Sequence, residues 1–314
     1  TSSTQAVFTT STSSGAHYIE VYDKATTDST SQIQYAVAYG HKDGSGSLDF
    51  TNDTGAIGNS ATKNIYNQYR QLVYGDENSN FNFNGTTPSD IFVININRGR
   101  YKHNLKPGTL NLHISGASAG DSDVIHLTDD SVTLTGSSTV TNLGRQFNLV
   151  SGSSGVMSGS LLSQVPGSGS YGLFYPDAGV IILNADAIGE KIDTLAPIDS
   201  SNTADLNHQK LYQHISNSNS SGDSYFIVDS EEKISSQFYF VRAKNNQFNY
   251  TSNPSYIDAN GNINITSFID NPNTYITTVG LYNDSNDLVA VAKLSQPITK
   301  DFTKEALIRV KLDY

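Results

Sequence analysis

The sequence predicts a mainly β protein: sandwich-like sheets with one or two short helices, several domains and only minor α+β content. Three observations carry this reading. Charged residues make up 16% of the 314-residue chain, against about a quarter in an ordinary soluble protein. The polar surface therefore comes from Ser, Thr, Asn and Gly, which favour turns. Bulky apolar area comes from 18 Tyr and 13 Phe, aromatic residues that suit a pleated surface. Finally, short runs with apolar residues at every second position alternate with Gly/Ser-rich punctuation, the pattern of half-buried strands joined by turns.

Taken in chain order, residues 1–14 are too rich in Ser and Thr to fill a core and are expected to form an extended arm. A β-rich N-terminal domain is expected over 15–115. In it Ile33, Tyr35, Val37 and Tyr39 alternate with Gln34, Ala36 and Ala38, as in a half-buried strand. The next segment, GHKDGSGS (40–47), is glycine-rich like a phosphate loop but has no Lys after a Gly, so it reads as a turn. One helix is predicted over 61–74: Ile65, Tyr69, Leu72 and Val73 recur at helical spacing, and Gly75 supplies a stop. DIFVININR (90–98) reads as a buried strand, and TLNLHIS (109–115) as an alternating one with Leu110, Leu112 and Ile114 on one face. Residues 116–222 carry repeated Gly/Ser punctuation and read as a middle or inserted domain, with a short helix near 205–215. A C-terminal β domain over 223–314, a candidate to pack with 15–115, closes the chain.

Chemistry is sparse. Cys is absent, which excludes disulfides, thiolate metal sites and cysteine nucleophiles. A net charge of −11 works against nucleic-acid backbones and anionic membranes, both of which select basic surfaces. The short basic run NRGRYKHNLK (97–106) reads as a solvated loop after a strand. The first residues have neither the basic nor the apolar region of a secretory leader, and no apolar run reaches membrane-spanning length, so the expectation is a chain used without export. The seven His are scattered and read as ordinary surface residues. His208 and His214, six apart, do not share the helix face that a chelating i, i+4 pair needs. SGSSG (151–155) lacks the strand before and helix after it that a nucleophile elbow requires. The carboxylate pairs Asp129–Asp130 and Glu231–Glu232 are adjacent, so on strands they point to opposite faces. No catalytic residue, cofactor site or metal site is assigned.

NDSND (283–287) begins like a calcium loop, yet Leu288 stands where the bend needs Gly and no Glu follows at the required distance. Flanked by the apolar runs 275–282 and 288–294, it reads as a hairpin turn. The candidate sheet-core and interface residues lie here and in the last strand. Val279 and Leu281 on the first hairpin strand, Ala290 and Ala292 on the second, and Ile308, Val310 and Leu312 on the terminal strand form the expected facing set. Arg309 should face away. Val289 and Val291 make the second strand apolar on both faces, so its outer side also needs a cover. Tyr275, Tyr282 and Tyr314 complete the candidates.

The C-terminal block, from FYFVRAKNNQFNYTSNPSYI through YITTVGLYNDSNDLVAVAKLSQPITKDFTKEALIRVKLDY, resembles the end of virion structural proteins of large contractile-tailed, myovirus-type phages, especially cyanophages. AVAYGHKDGSGS, NIYNQYRQLVYGD, NINRGRYKHNLKPGTLNLHISG and YGLFYPDAGVIILNADAI resemble the same group. TTVGLYNDSNDLVAVAKL is also similar to a strand–turn–strand unit in attachment domains of phage tail fibres. The resemblance implies a virion part without enzymatic activity or cofactor, assembled in the host cytoplasm. Its implied partners are other virion structural proteins and copies of itself. Tail, baseplate or fibre attachment is the expected position, with neck, collar or capsid association as the alternative. A second reading is a host-surface β-protein that binds or cleaves carbohydrate, with Tyr in place of the absent Trp.

Overall fold

The computed structural model describes residues 7–9, 18–24, 27–46, 61–115, 124–133, 138–159, 167, 169–192, 195–196, 207–217 and 226–314. The chain divides into two compact units, Thr1–Glu232 and Lys233–Tyr314. In chain order the first unit holds β1 (Val7–Thr9), β2 (Tyr18–Tyr22), β3 (Ile33–His41), helix α1 (Ala61–Tyr74) and β4 (Asp90–Ile96). It continues with β5 (Asn104–Leu105), β6 (Asn111–Ser115), β7 (Val124–Asp129), β8 (Thr139–Thr141), β9 (Gly144–Ser153) and β10 (Val156–Met157). Then come β11 (Gly172–Tyr175), β12 (Val180–Asn184), α2 (Ala185–Gly189), α3 (Asn207–Asn217), β13 (Phe226–Ile227) and β14 (Ser230–Glu231). The second unit holds β15 (Ser236–Ala243), α4 (Thr266–Asp270), β16 (Thr274–Tyr282), β17 (Leu288–Lys300) and β18 (Ala306–Asp313).

The protein is mostly β, as its composition dictates, with 44% strand and 16% helix among the described residues. The first unit is a large curled antiparallel sheet in the order β1-β2-β3-β4-β12-β11-β9-β7-β6-β13, with β8 and β10 hairpinned onto β9. Its central strands are apolar without alternation because both faces are covered. On β4, Ile91 and Val93 join one buried cluster with Tyr66 and Val73 of α1, whereas Phe92 and Ile94 join the other with Ile188 of α2 and Leu211 and Ile215 of α3. All five residues of β12 are buried. The sequence reading separates residues 15–115 from 116–222. Here β12 pairs with β4 from Val180↔Asn95 to Asn184↔Ile91, so strands of both segments are neighbours in one sheet. Gly/Ser punctuation thus joins strands of a sheet as readily as it joins domains.

Helix α1 spans 61–74, and Gly75, at φ +73°, ends it by donating to the Gln71 carbonyl. Its buried stripe is Thr62, Tyr66, Arg70 and Val73, while Leu72 is exposed. Gly40 on β3 sets this rotation, since a Cβ there would lie 2.9 Å from the Tyr66 nitrogen. The expected helix near 205–215 is α3; the five-residue helices α2 and α4 were not anticipated. Of the expected arm, Val7–Thr9 pair with β2, and the rest of 1–14 lies outside the described residues.

Several loop readings find physical causes. The turn after β3 is organised by His41, whose Nδ1 accepts from the amides of Asp43, Gly44 and Ser45. SGSSG is the β9–β10 hairpin turn, with Ser154 and Gly155 at positive φ. Contrary to the sequence reading a strand does precede it, but it is followed by β10 rather than by the helix that a nucleophile elbow needs. The basic run 97–106 is packed rather than simply solvated. Arg98 lies over the Tyr101 ring at 4.6 Å, Arg100 donates to Gln32, and Tyr101, Asn104 and Leu105 are buried. The surface reading of the histidines fails for His208 and His214, which are buried in α3. His113 and His126 stack across β6–β7 with centroids 3.7 Å apart.

Candidate assembly interface

The second unit consists of two antiparallel ribbons, β15–β18 and β16–β17, that share one small core. In the first, Tyr239↔Val310, Val241↔Ile308 and Ala243↔Ala306 are register partners on one face, which is buried at Val310, Ile308, Ala243 and Ala306 and open at Tyr239. In the second, Val279↔Ala292 and Leu281↔Ala290 do the same. Val279, Ile308 and Val310 form the buried cluster, with Val241, Ile276, Leu281, Ala292, Leu294 and Ile298 packed around it. The inward candidates Val279, Leu281, Ile308 and Val310 thus meet, and Leu312 is half-buried at the end of the terminal strand, opposite Gln237.

The hairpin turn is built by Asn283. Its Oδ1 accepts from the amides of Ser285 (3.0 Å) and Asp287 (2.8 Å), and its Nδ2 donates to the Asp287 carboxylate. Asn286 takes the left-handed conformation, φ 64°, which Asn tolerates better than most residues. Asn283 Oδ1 and one Asp287 carboxylate oxygen, two of the oxygens that suggested a calcium loop, are engaged in closing the turn. A second polar anchor is Lys300, fully buried at the end of β17. Its Nζ donates to the Asn245 carbonyl (2.9 Å), Asn249 Oδ1 (2.9 Å) and the Asp301 carbonyl (3.1 Å). A buried ammonium held by three oxygens ties the 245–249 loop to the ribbon.

The outer faces are less complete. Between β16 and β17 the register slips so that Leu281 opposes Ala290 and Tyr282 opposes Leu288, leaving Val289 as the extra residue of a bulge. On the outward side Tyr282 (63% exposed), Leu288 (54%) and Val291 (57%) gather around Gly280, and a Cβ at Gly280 would meet Tyr282 and Leu288 at 3.0 and 3.3 Å. Tyr275, Val289 and Tyr314 are exposed as well. The candidates therefore split into an inner set that makes the core and an outer set that nothing in this unit covers.

The first ribbon has an outer face that the sequence reading passed over. Phe238, Phe240 and Leu307 project from it, interleaved with Arg242, Arg309 and Lys311. Arg309 faces out as expected and lies over the Phe238 ring at 5.3 Å. Arg242 is paired with Glu305 (2.6 Å). Lys311 and the Ser236 hydroxyl, both bonded to Asp313, hold that carboxyl below the ordinary carboxylate range. The signal was present in QFYFVR, where aromatic residues occupy consecutive positions and so both faces of a strand.

Among the described residues, fifteen of the twenty-one exposed large apolar side chains lie within Lys233–Tyr314, which contributes only six of the buried apolar ones. Scattered singly, such residues mean little; concentrated on faces, they mark interaction surfaces. The charge differs as well. Lys233–Tyr314 carries eight Lys and Arg against seven Asp and Glu, whereas the preceding residues carry eleven against twenty-three. Among the described residues no three His, Asp or Glu side chains gather as metal ligands would, and no helix is long and apolar enough to cross a membrane. The adjacent carboxylates diverge: Asp129 accepts from Gly108 N and Ser131 Oγ, Asp130 from Asn148, and Glu231 and Glu232 pair with Arg145 and Lys102. No protein-family model, curated protein or solved structure matches this chain.

Proposed function

We propose that this chain is a non-enzymatic structural component of a tailed-phage particle, acting through protein–protein interfaces that the second unit supplies. The supporting observation is the concentration of exposed apolar side chains on both ribbons of a unit with a core too small to account for them. A stable interface buries about 1,600 Å² in total, its centre depleted of charge and enriched in aromatic residues and Arg. Phe238, Phe240, Tyr275 and Tyr282 with Arg309 fit that composition. The near-neutral charge of the unit lets copies or other subunits approach without the repulsion that the acidic first unit would bring. The sequence resemblance to virion structural proteins supplies the setting: tail or baseplate, with other virion proteins and copies of this chain as partners.

Cross-linking mass spectrometry on purified particles tests this. The chain is expected as a stoichiometric component with cross-links from Lys293, Lys304 or Lys311 to other subunits. Its absence from particles, or glycan cleavage by the isolated chain, would overturn the proposal.

A further inference from the structure

The outward face of β9 carries a second construction, distant in sequence from the ribbons. Phe147 and Leu149 point into the core, so Gln146 and Asn148 alternate to the opposite side. Beside them stand Thr139 and Thr141 of β8, set by the register Thr139↔Gln146 and Thr141↔Gly144. With Val140 and Asn142 beside them, Asn82 and Asn84 from the turn after α1, and Tyr74 from the helix end, they bound a cleft of about 840 Å³. That volume is typical of small-ligand sites. None of its lining side chains is charged.

Two of the amides are held in fixed orientations by buried partners. Tyr175, fully buried, donates its hydroxyl to Gln146 Oε1 at 3.0 Å, so the Gln146 NH₂ is the group left for a ligand. Asp130, 5% exposed, accepts from Asn148 N and Nδ2, both at 3.0 Å, so the Asn148 Oδ1 is left. The cleft floor thus offers a donor and an acceptor on alternate residues of one strand, about 7 Å apart by strand geometry. At the rim, Asn82 Oδ1 accepts from Gly85 N, which again leaves an amide NH₂. Orientation before binding lowers the entropy lost on binding.

We infer that this cleft binds a neutral, hydroxyl-rich ligand, a saccharide. A sugar hydroxyl both donates and accepts, so a pyranose spans an NH₂ and a C=O that are already set apart and immobile. Tyr74 and Val140 give its C–H face an apolar surface. A phosphate or carboxylate ligand would find no counter-charge in this lining, and a wholly apolar one would leave the amides unpaired.

Saturation-transfer NMR on the purified full chain, with maltotriose, cellotriose and triacetylchitotriose and a printed glycan array for breadth, tests the inference. Binding of at least one neutral saccharide is expected. It should fall about tenfold in Asn142→Ala, the loss of a ligand hydrogen bond, and be abolished in Thr139→Trp, which fills the cleft. Both positions are exposed, and thermal melts check that the variants fold. The side-chain amide signals of Gln146 in the unaltered chain place the sugar independently of any substitution. Failure to bind any glycan, binding of acidic glycans only, or bound sugar that leaves the Gln146 amide unmoved would overturn the inference.

Discussion

Replacing Val310 by Asp strikes the point where the two ribbons of the second unit meet. Val310 is 8% exposed and shares its cluster with Val279 and Ile308. Removing its methyl groups from that layer forfeits about 2 kcal/mol of burial. The carboxylate left behind has no cation opposite it: its register partner is Tyr239, and the nearby Arg309 and Lys311 project from the other face. That adds at least about 2 kcal/mol. A total near 4 kcal/mol is a large share of the roughly 5–15 kcal/mol that holds a domain together, and small domains sit at the low end. Arg309→Asp, one residue away on the outer face, loses a cation–π contact worth about 0.5–1 kcal/mol. Hydrogen exchange on the full chain, read at the amides of β15 and β18, separates the two variants. Val310→Asp should lower protection about a thousandfold, or make the unit insoluble, while Arg309→Asp should lower it less than about tenfold. Equal protection in both would refute the facing set and the strand register behind it.

Three further outcomes are expected. Asn283→Ala should destabilise the β16–β17 hairpin by about 1 kcal/mol, whereas Asn283→Asp, which keeps the acceptor for Ser285 and Asp287 but sets a second carboxylate against that of Asp287, should restore only part of it; millimolar Ca²⁺ should not move the melting temperature of the unaltered chain, and a calcium-dependent rise would mean the turn binds metal. Lys300→Met keeps the apolar stem but leaves three oxygens without their donor, and should cost about 2–3 kcal/mol by denaturant unfolding; a neutral result would show that water replaces the ammonium. Burial holds the His214 pKa below its ordinary value of 6.5, so on acidification the unfolded chain takes up this proton first. Stability is therefore full above pH 6.5 and lost as pH falls from there through the folded-state value. His214→Gln should flatten that acid limb in a pH-resolved melt, and an unchanged slope would assign it to other groups.

The parts of the fold legible in sequence were those whose cause is local. Period-two alternation in 33–39 and 109–115 marked β3 and β6, and the apolar run Ile91–Ile94 marked a strand covered on both sides. Gly75 marked the end of α1. The helix's rotation was not legible, because Leu72 and Tyr66 fit an apolar stripe equally well and the choice depends on Gly40, twenty-six residues from Tyr66. Helices α2 and α4 are too short to show a period; Asn184 starts α2 by capping Ala187, a contact that follows from the end of β12. The division of the interface candidates into inner and outer sets needed the bulge at Val289, which reverses facing within one strand. The polar cleft was invisible for a different reason. Its amides come from residues 82–84 and 142–148, and their chemistry depends on Tyr175 and Asp130 behind them.

The central claim is that the outer faces of Lys233–Tyr314 are covered in the assembled particle. Hydroxyl-radical footprinting measures this directly, comparing the isolated chain with the same chain in purified particles. Phe238, Phe240, Tyr275, Tyr282 and Tyr314 should be oxidised readily in the isolated chain and protected in the particle, while Val140 and Val156 of the first unit, also exposed, serve as internal references. Equal oxidation of those aromatic residues in both samples would contradict the account.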